Sequence, residues 1–143
     1  MPKLTGVHET VLYAAELDEA VRFYAGILGL EPFAEAVGAS GRGLRLPSGA
    51  VLLIFDPEMA IRPGRDVPSH GAIGPGHVCF AIAQSAYDDW IRHLRARGIE
   101  IEKEMAWPGP EGGRPRSIYF RDPAGNSVEL MAGDYWSSRE IDS

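Results

Sequence analysis

Two segments of the sequence open with side chains that can bind a metal ion. His8 and Glu9 begin the first segment, and His77 begins the second. Imidazole nitrogens and carboxylate oxygens present lone pairs to divalent cations, so these residue types at the same place in two similar segments could serve one ion. An ion held in this way acts as a Lewis acid on the oxygens of a substrate.

An amphipathic helix is predicted after each of these openings. Apolar side chains recur with a period of about 3.6 residues over residues 17–28 and again over 87–94. Gly29 and Gly98 then supply the left-handed residue that commonly ends a helix. The two segments therefore repeat one strand–helix unit.

Short apolar stretches rich in β-branched or aromatic residues predict the strands. They cover residues 7–14, 32–37, 43–46, 50–55, 77–83, 100–106, 116–121 and 127–131. The order of elements is βαβββ twice, which predicts an α+β fold. We expect a first module over 7–55, a Pro- and Gly-rich linker or functional flap over 56–75, a second module over 76–132 and a tail over 133–143.

The size and charge of the chain narrow the range of functions. Its 143 residues, 45% hydrophobic and 24% charged, suit one compact domain. A net charge of −6 disfavours nucleic acid and anionic membranes as partners. The sequence shows no apolar run of membrane-spanning length and no signal-peptide pattern, and Cys79 is its single cysteine. These features predict a soluble cytoplasmic domain whose partner is a small molecule or a second copy of the chain.

Two motifs carry a resemblance to a known family. The first comprises Leu17-Asp18-x-Ala20, Phe23-Tyr24 and Leu28-Gly29-Leu30, and the second is Tyr119-Phe120-Arg121-Asp122-Pro123-x-Gly125-Asn126-x-Val128-Glu129-Leu130. With them, nearly the whole chain resembles the vicinal oxygen chelate superfamily, which includes glyoxalases, bleomycin-resistance proteins and extradiol dioxygenases. The resemblance implies two βαβββ modules whose curved mixed sheets form a cup around a divalent metal ion.

The resemblance also implies where the metal ligands lie. They come from the first strand of each module and the last strand of the second, which gives His77 and Glu129. For the first module, Glu9 precedes the helix-ending Gly29 by 20 residues, as the family's ligand does, so Glu9 is preferred and His8 is the alternative. One imidazole and two carboxylates suit a first-row divalent ion, and manganese, iron, nickel, cobalt and zinc remain open.

Resemblance to the family's enzymes suggests further roles. Glu129 is expected to act as the catalytic base by leaving the metal. Tyr119 and the segment from Trp107 are expected to contact the substrate, with Arg114 and Arg116 available to hold a carboxylate or phosphonate.

Two functions of different classes follow from these residues. The first is a metal-dependent enzyme of lyase, isomerase or thiol-transfer type acting on a small oxygen-chelating substrate; dioxygenase chemistry usually needs two histidines and is less favoured. The second is a metal-free ligand- or antibiotic-binding protein of the bleomycin-resistance type, with which an acidic chain is compatible. Because two open-edged modules normally pair further, we also expect a homodimer.

Overall fold

The computed structural model describes residues 1–33, 38–109 and 113–136. Its elements are β1 (Glu9–Tyr13), α1 (Leu17–Gly26), β2 (Glu31–Phe33), β3 (Gly41–Arg45), β4 (Val51–Phe55), α2 (Pro57–Ala60), β5 (His77–Ile82), a 3-10 turn (Gln84–Ala86), α3 (Tyr87–Ala96), β6 (Lys103–Ala106), β7 (Arg116–Arg121) and β8 (Ser127–Ala132). The predicted α+β order of two βαβββ modules is confirmed, while the predicted strand residues 34–37 and the tail beyond 136 lie outside the described residues. The short helix α2 was not predicted from the sequence.

Each module forms one four-stranded mixed sheet. The strand orders are β1-β4-β3-β2 and β5-β8-β7-β6. In each sheet the first and last strands of the module pair in parallel, and the other pairs are antiparallel. The first strand of each module, which carries the predicted ligand, is thus at a sheet edge beside the module's last strand.

By their contacts the residues divide into two compact units. The first unit is Met1–Gly76 together with Asp122–Asn126, and the second is His77–Arg121 together with the chain from Ser127 onward. The tight turn between β7 and β8 therefore belongs, by its contacts, to the first unit. None of the helices in the described ranges is long and apolar enough to cross a membrane.

The core of the first unit lies between one sheet face and α1. Leu12, Leu52 and Ile54 project from β1 and β4 and are almost fully buried, as are Phe23 and Tyr24 on the helix. Side chains alternate between the two faces of a strand, so these residues leave the odd-numbered positions of β1 on the opposite face.

The core of the second unit has the same construction. Ile118, Phe120, Val128 and Leu130 are buried on one face of the sheet, and Leu94 of α3 is buried with them. Alternation again places the other residues of β7 and β8, including Glu129, on the opposite face.

The turn at Asp122–Asn126 is fixed by a buried carboxylate. Asp122 accepts hydrogen bonds from the Tyr24 hydroxyl at 2.8 Å, from the backbone N–H groups of Ala124 and Asn126 and from the Asn126 side chain. Asn126 in turn donates to the backbone carbonyl of Tyr13 and accepts from the N–H of Gly76. Burial, together with the adjacent Asp122 charge, raises the pKa of Tyr24. The motif in this turn, which resembles that of the family, therefore serves to hold the turn in place.

Candidate metal centre and substrate cavities

His77 and Glu129 meet on the exposed face of the second sheet. They lie on the parallel strands β5 and β8, where His77 pairs with Ser127 and Cys79 with Glu129. His77 Nε2 is 3.2 Å from Glu129 Oε1, and the histidine side chain is half exposed while that of Glu129 is only 6% exposed. The structure thus brings together two of the three predicted metal ligands.

The hydrogen bond made by Nδ1 of His77 determines whether Nε2 of the same ring can bind a metal ion. His77 Nδ1 is 3.0 Å from the carbonyl oxygen of Ser127. A carbonyl only accepts, so Nδ1 carries the proton, and in the neutral ring the lone pair of Nε2 points towards an acceptor carboxylate. A cation between the two atoms satisfies both, and a backbone carbonyl behind the ring is the usual support of a metal-binding histidine. The pair therefore fits a divalent metal ion.

The other carboxylate oxygen of Glu129 is bound by a residue that was not predicted from the sequence to belong to the site. The Ser117 hydroxyl donates to Glu129 Oε2 at 2.5 Å, and Trp107 Nε1 donates to the same hydroxyl at 2.9 Å. Ser117 lies two residues before Tyr119 on β7 and so shares its face, a signal that strand alternation could have supplied. This chain of bonds leaves Oε1 directed at His77.

Two further groups beside Glu129 stay protonated at neutral pH. Burial, aided by the Glu129 carboxylate, raises the pKa of Tyr119 to about 12. Desolvation and the same carboxylate raise the pKa of Cys79 to about 12, although that residue as a whole is exposed. The ring of Tyr119 also stacks near that of His77, with centroids 6.4 Å apart. Tyr119 is therefore a hydrogen-bond donor, and Cys79 is a poor nucleophile.

A cavity of about 390 Å³ opens on this face of the second unit, and we call it the unit-2 cavity. It is lined by Glu102, Lys103, Met105, Trp107, Tyr119, Arg121 and Ser127. Arg121 is engaged by Glu102 through two hydrogen bonds, of 2.8 and 3.1 Å. Lys103, directly opposite Tyr119 across the β6–β7 pair, adds a second cationic side chain. Neither of these cations was predicted from the sequence to belong to the site.

The two arginines that were predicted to contact the substrate are not among the residues that line the unit-2 cavity. Arg116 is three positions before Tyr119 on the same strand and so lies on the opposite face, where its guanidinium sits 3.9 Å above the ring of Tyr87. Arg114 is exposed in the loop before β7. The structure therefore brings Trp107 and Tyr119, but not Arg116, to the face that carries Glu129; residues 110–112 of the predicted substrate segment lie outside the described residues.

Glu9 belongs to the first unit, where it is the first residue of β1. It shares a sheet face with Val11 and Tyr13, while Leu12 and Ala14 are buried on the helix side. His8 lies before the strand. Across the described ranges, no group of three or more His, Cys, Asp or Glu side chains is arranged to hold a metal ion. The ligand role of Glu9, with His8 as the alternative, stays a prediction.

The face that carries Glu9 borders a second, larger cavity of about 690 Å³, the unit-1 cavity. Its lining comprises Glu9, Val11, Tyr13, Phe33, Val51, Leu53, Phe55, Arg65, Val67, Pro68 and His70. The last four come from the stretch after α2, residues 61–76, which we call the flap. The predicted linker thus contributes directly to a cavity of the first unit.

Comparison with known proteins agrees with this fold. Residues 6–130 match the family model described as the glyoxalase/bleomycin resistance protein/dioxygenase superfamily. The crystal structure of a lactoylglutathione lyase from Agrobacterium tumefaciens is similar over 94% of this chain and 98% of that one, with 36% identity and a TM-score of 0.83.

Two curated relatives are also similar in sequence. Metallothiol transferase FosB from Staphylococcus epidermidis is 28% identical over 92% of this chain and 84% of its own length. Fosfomycin resistance protein FosX from Listeria monocytogenes is 25% identical over 91% of each chain. With the family model spanning most of its length, this chain belongs to the glyoxalase/bleomycin resistance protein/dioxygenase superfamily.

Proposed function

We propose that the protein is a metal-dependent enzyme of lyase, isomerase or thiol-transfer type that acts on a small substrate with neighbouring oxygens. The observation that carries this proposal is the approach of His77 Nε2 to Glu129 Oε1 at 3.2 Å, with each partner anchored from behind. The names of a metallothiol transferase and a lactoylglutathione lyase among the similar proteins support the same class.

In this proposal His77 and Glu129 hold a divalent ion, with Glu9 as the third ligand and His8 as the alternative. Manganese, iron, nickel, cobalt and zinc are all compatible with one imidazole and two carboxylates. A divalent ion bound there would supply Lewis acidity to substrate oxygens.

The protein's own side chains supply the remaining functions. Glu129, with Oε2 held by Ser117, presents Oε1, which would hold the ion and would accept a substrate proton only when it is not bound to the metal. Tyr119 keeps its proton and donates a hydrogen bond to a substrate oxygen. Lys103 attracts a negatively charged group, and Trp107 forms an apolar wall of the unit-2 cavity.

Metal content provides the direct test. Protein purified in metal-free buffer and loaded with Mn²⁺ or Zn²⁺ is expected to hold close to one ion per chain, and His77→Ala and Glu129→Gln are expected to lose it. Glu100→Gln, which removes an exposed carboxylate of the same unit, is the matched control and should bind like the wild type. Wild-type loading below about a tenth of an ion per chain would overturn the proposal.

That negative result would favour the second candidate, a metal-free binding protein of the bleomycin-resistance type. The net charge of −6 and the mainly apolar lining of the unit-1 cavity are the observations that favour it. A homodimer in the cytoplasm is expected under either function, and sedimentation of the protein as a monomer at micromolar concentration would contradict the dimer.

A further inference from the structure

The unit-1 cavity has an apolar middle, a polar end beside the flap and a carboxylate at the opposite end. Val11, Phe33, Val51, Leu53 and Phe55 supply the apolar walls. Its volume of about 690 Å³ is within the range typical of pockets for small organic ligands. Apolar walls with a few placed polar groups are also the usual composition of such pockets, so the cavity is suited to the apolar body of a small molecule.

The polar end is formed by β1 and the flap. The hydroxyl of Tyr13 is 2.5 Å from His70 Nδ1, and the imidazole packs edge-on against Phe55, with centroids 4.7 Å apart. The backbone N–H of His70 donates to the carbonyl of Ala60 at 3.0 Å. These contacts fix the flap against the cavity wall and place two polar side chains at one end of it.

The positively charged side chain of Arg65 lies at the same polar end of the cavity. The Arg65 guanidinium lies 5.7 Å from the centre of the Phe55 ring, and it donates to the carbonyl of Ala60 and, at 3.5 Å, to the hydroxyl of Ser40. These bonds occupy two of its five N–H groups. Within the described ranges its side chain forms no ion pair with a carboxylate. Burial raises the pKa of Tyr13, and the positive charge of Arg65 opposes that shift, which agrees with its position at the cavity's polar end.

The carboxylate of the cavity lies at the other end. Glu9 opens β1 and Tyr13 closes it, which separates their backbones by roughly 13 Å along an extended strand. The cavity thus has a negative end and a positive end with an apolar stretch between. An anionic group is favoured beside Arg65 and disfavoured beside Glu9.

We propose that the unit-1 cavity binds a small organic carboxylate, with the carboxylate at Arg65 and Tyr13 and the apolar body between Phe33, Leu53 and Phe55. This site shares the sheet face of Glu9, the proposed third metal ligand, but the carboxylate end at Arg65 requires no metal ion. The guanidinium fork provides the charge-assisted bonds. With His70 in the tautomer that carries its proton on Nδ1, the Tyr13 hydroxyl accepts from that N–H and donates its own proton to the second carboxylate oxygen.

The test compares a carboxylate with its neutral amide on the full-length protein in excess EDTA. Phenylacetate and phenylacetamide have the same body and differ in charge. By calorimetry, phenylacetate is expected to bind about tenfold more tightly, a difference typical of one charge-assisted hydrogen bond. Arg65→Gln should remove this preference, whereas Arg62→Gln, an exposed arginine of the same flap, should retain it.

A second measurement uses the wild-type protein and so does not depend on the folding of a variant. Nuclear Overhauser contacts are expected between the ring protons of phenylacetate and the methyl groups of Val51 and Leu53. Equal affinity for acid and amide, tighter binding of phenethylamine than of phenylacetate, or ring contacts confined to methyl groups of the second unit would each overturn the proposal. Because EDTA is present throughout, these outcomes are independent of whether His77 and Glu129 bind a metal.

Discussion

Glu129 Oε1 lies 3.2 Å from His77 Nε2, on two parallel strands that bring an imidazole lone pair and a carboxylate to one point. Neither group is free to turn away, because Ser127 holds the ring from behind and Ser117 holds the other carboxylate oxygen. When the ring is neutral, two acceptors face each other, and a cation that both atoms bind stabilises this arrangement. Because the βαβββ fold supports many reactions, the proposed chemistry rests on this pair of residues rather than on the fold.

Ser117 is expected to act on metal affinity through Glu129. Replacing it with alanine removes the donor to Glu129 Oε2 and the acceptor of the Trp107 N–H, so the carboxylate loses its fixed direction. We expect Ser117→Ala to weaken metal binding about 10- to 100-fold, the usual cost of losing a supporting bond behind a ligand. Competition with a chelating indicator measures this, with exposed Ser85→Ala as the control. Equal affinities in the two variants would show that Ser117 does not position Glu129.

The buried bond between Tyr24 and Asp122 is expected to stabilise the fold. Tyr24→Phe leaves a buried carboxylate short of one donor, and we expect a loss of about 2 kcal/mol in the free energy of unfolding, as for hydrogen bonds to charged groups. Tyr13→Phe removes a hydroxyl whose partner is a partly buried imidazole, and it should cost less than about 1 kcal/mol. Urea unfolding of both variants measures the two losses in free energy of unfolding, and a larger loss for Tyr13→Phe than for Tyr24→Phe would contradict the prediction.

The strand and helix periodicities were enough to predict the fold, because each depends only on neighbouring residues. The same alternation, counted along β7, would have separated Arg116 from Tyr119 and joined Ser117 to it. The contact between Tyr13 and His70 is different in kind. It depends on the path of the flap, which is set by α2 and by the bond from His70 N–H to Ala60 rather than by any repeating pattern.

Stability is expected to fall in alkali through Tyr87. Burial and its hydrogen bond to Glu104 raise the pKa of Tyr87 to about 12, above the ordinary value of 10.0 that applies in the unfolded chain. The raised value favours the neutral phenol in the folded state, so the stabilisation is complete below pH 10 and is lost as the pH rises towards 12. Urea midpoints at about pH 9 and 11 should therefore fall less in Tyr87→Phe than in the wild type. An equal fall of the urea midpoint in the variant and in the wild type would show that Tyr87 makes no such contribution.

Neighbouring residues at the start of β1 allow a direct test of the third ligand. Glu9 lies on the strand, on the face shared with Val11 and Tyr13, whereas His8 lies before it and its carbonyl accepts a hydrogen bond from the N–H of Val51. We expect Glu9→Gln to reduce metal affinity at least about tenfold, because a carboxylate ligand loses its charge, and His8→Ala to leave it unchanged. The measurement is a titration of EDTA-treated protein with Mn²⁺ for both variants and the wild type. The reverse result, loss with His8→Ala and none with Glu9→Gln, would assign the ligand to His8.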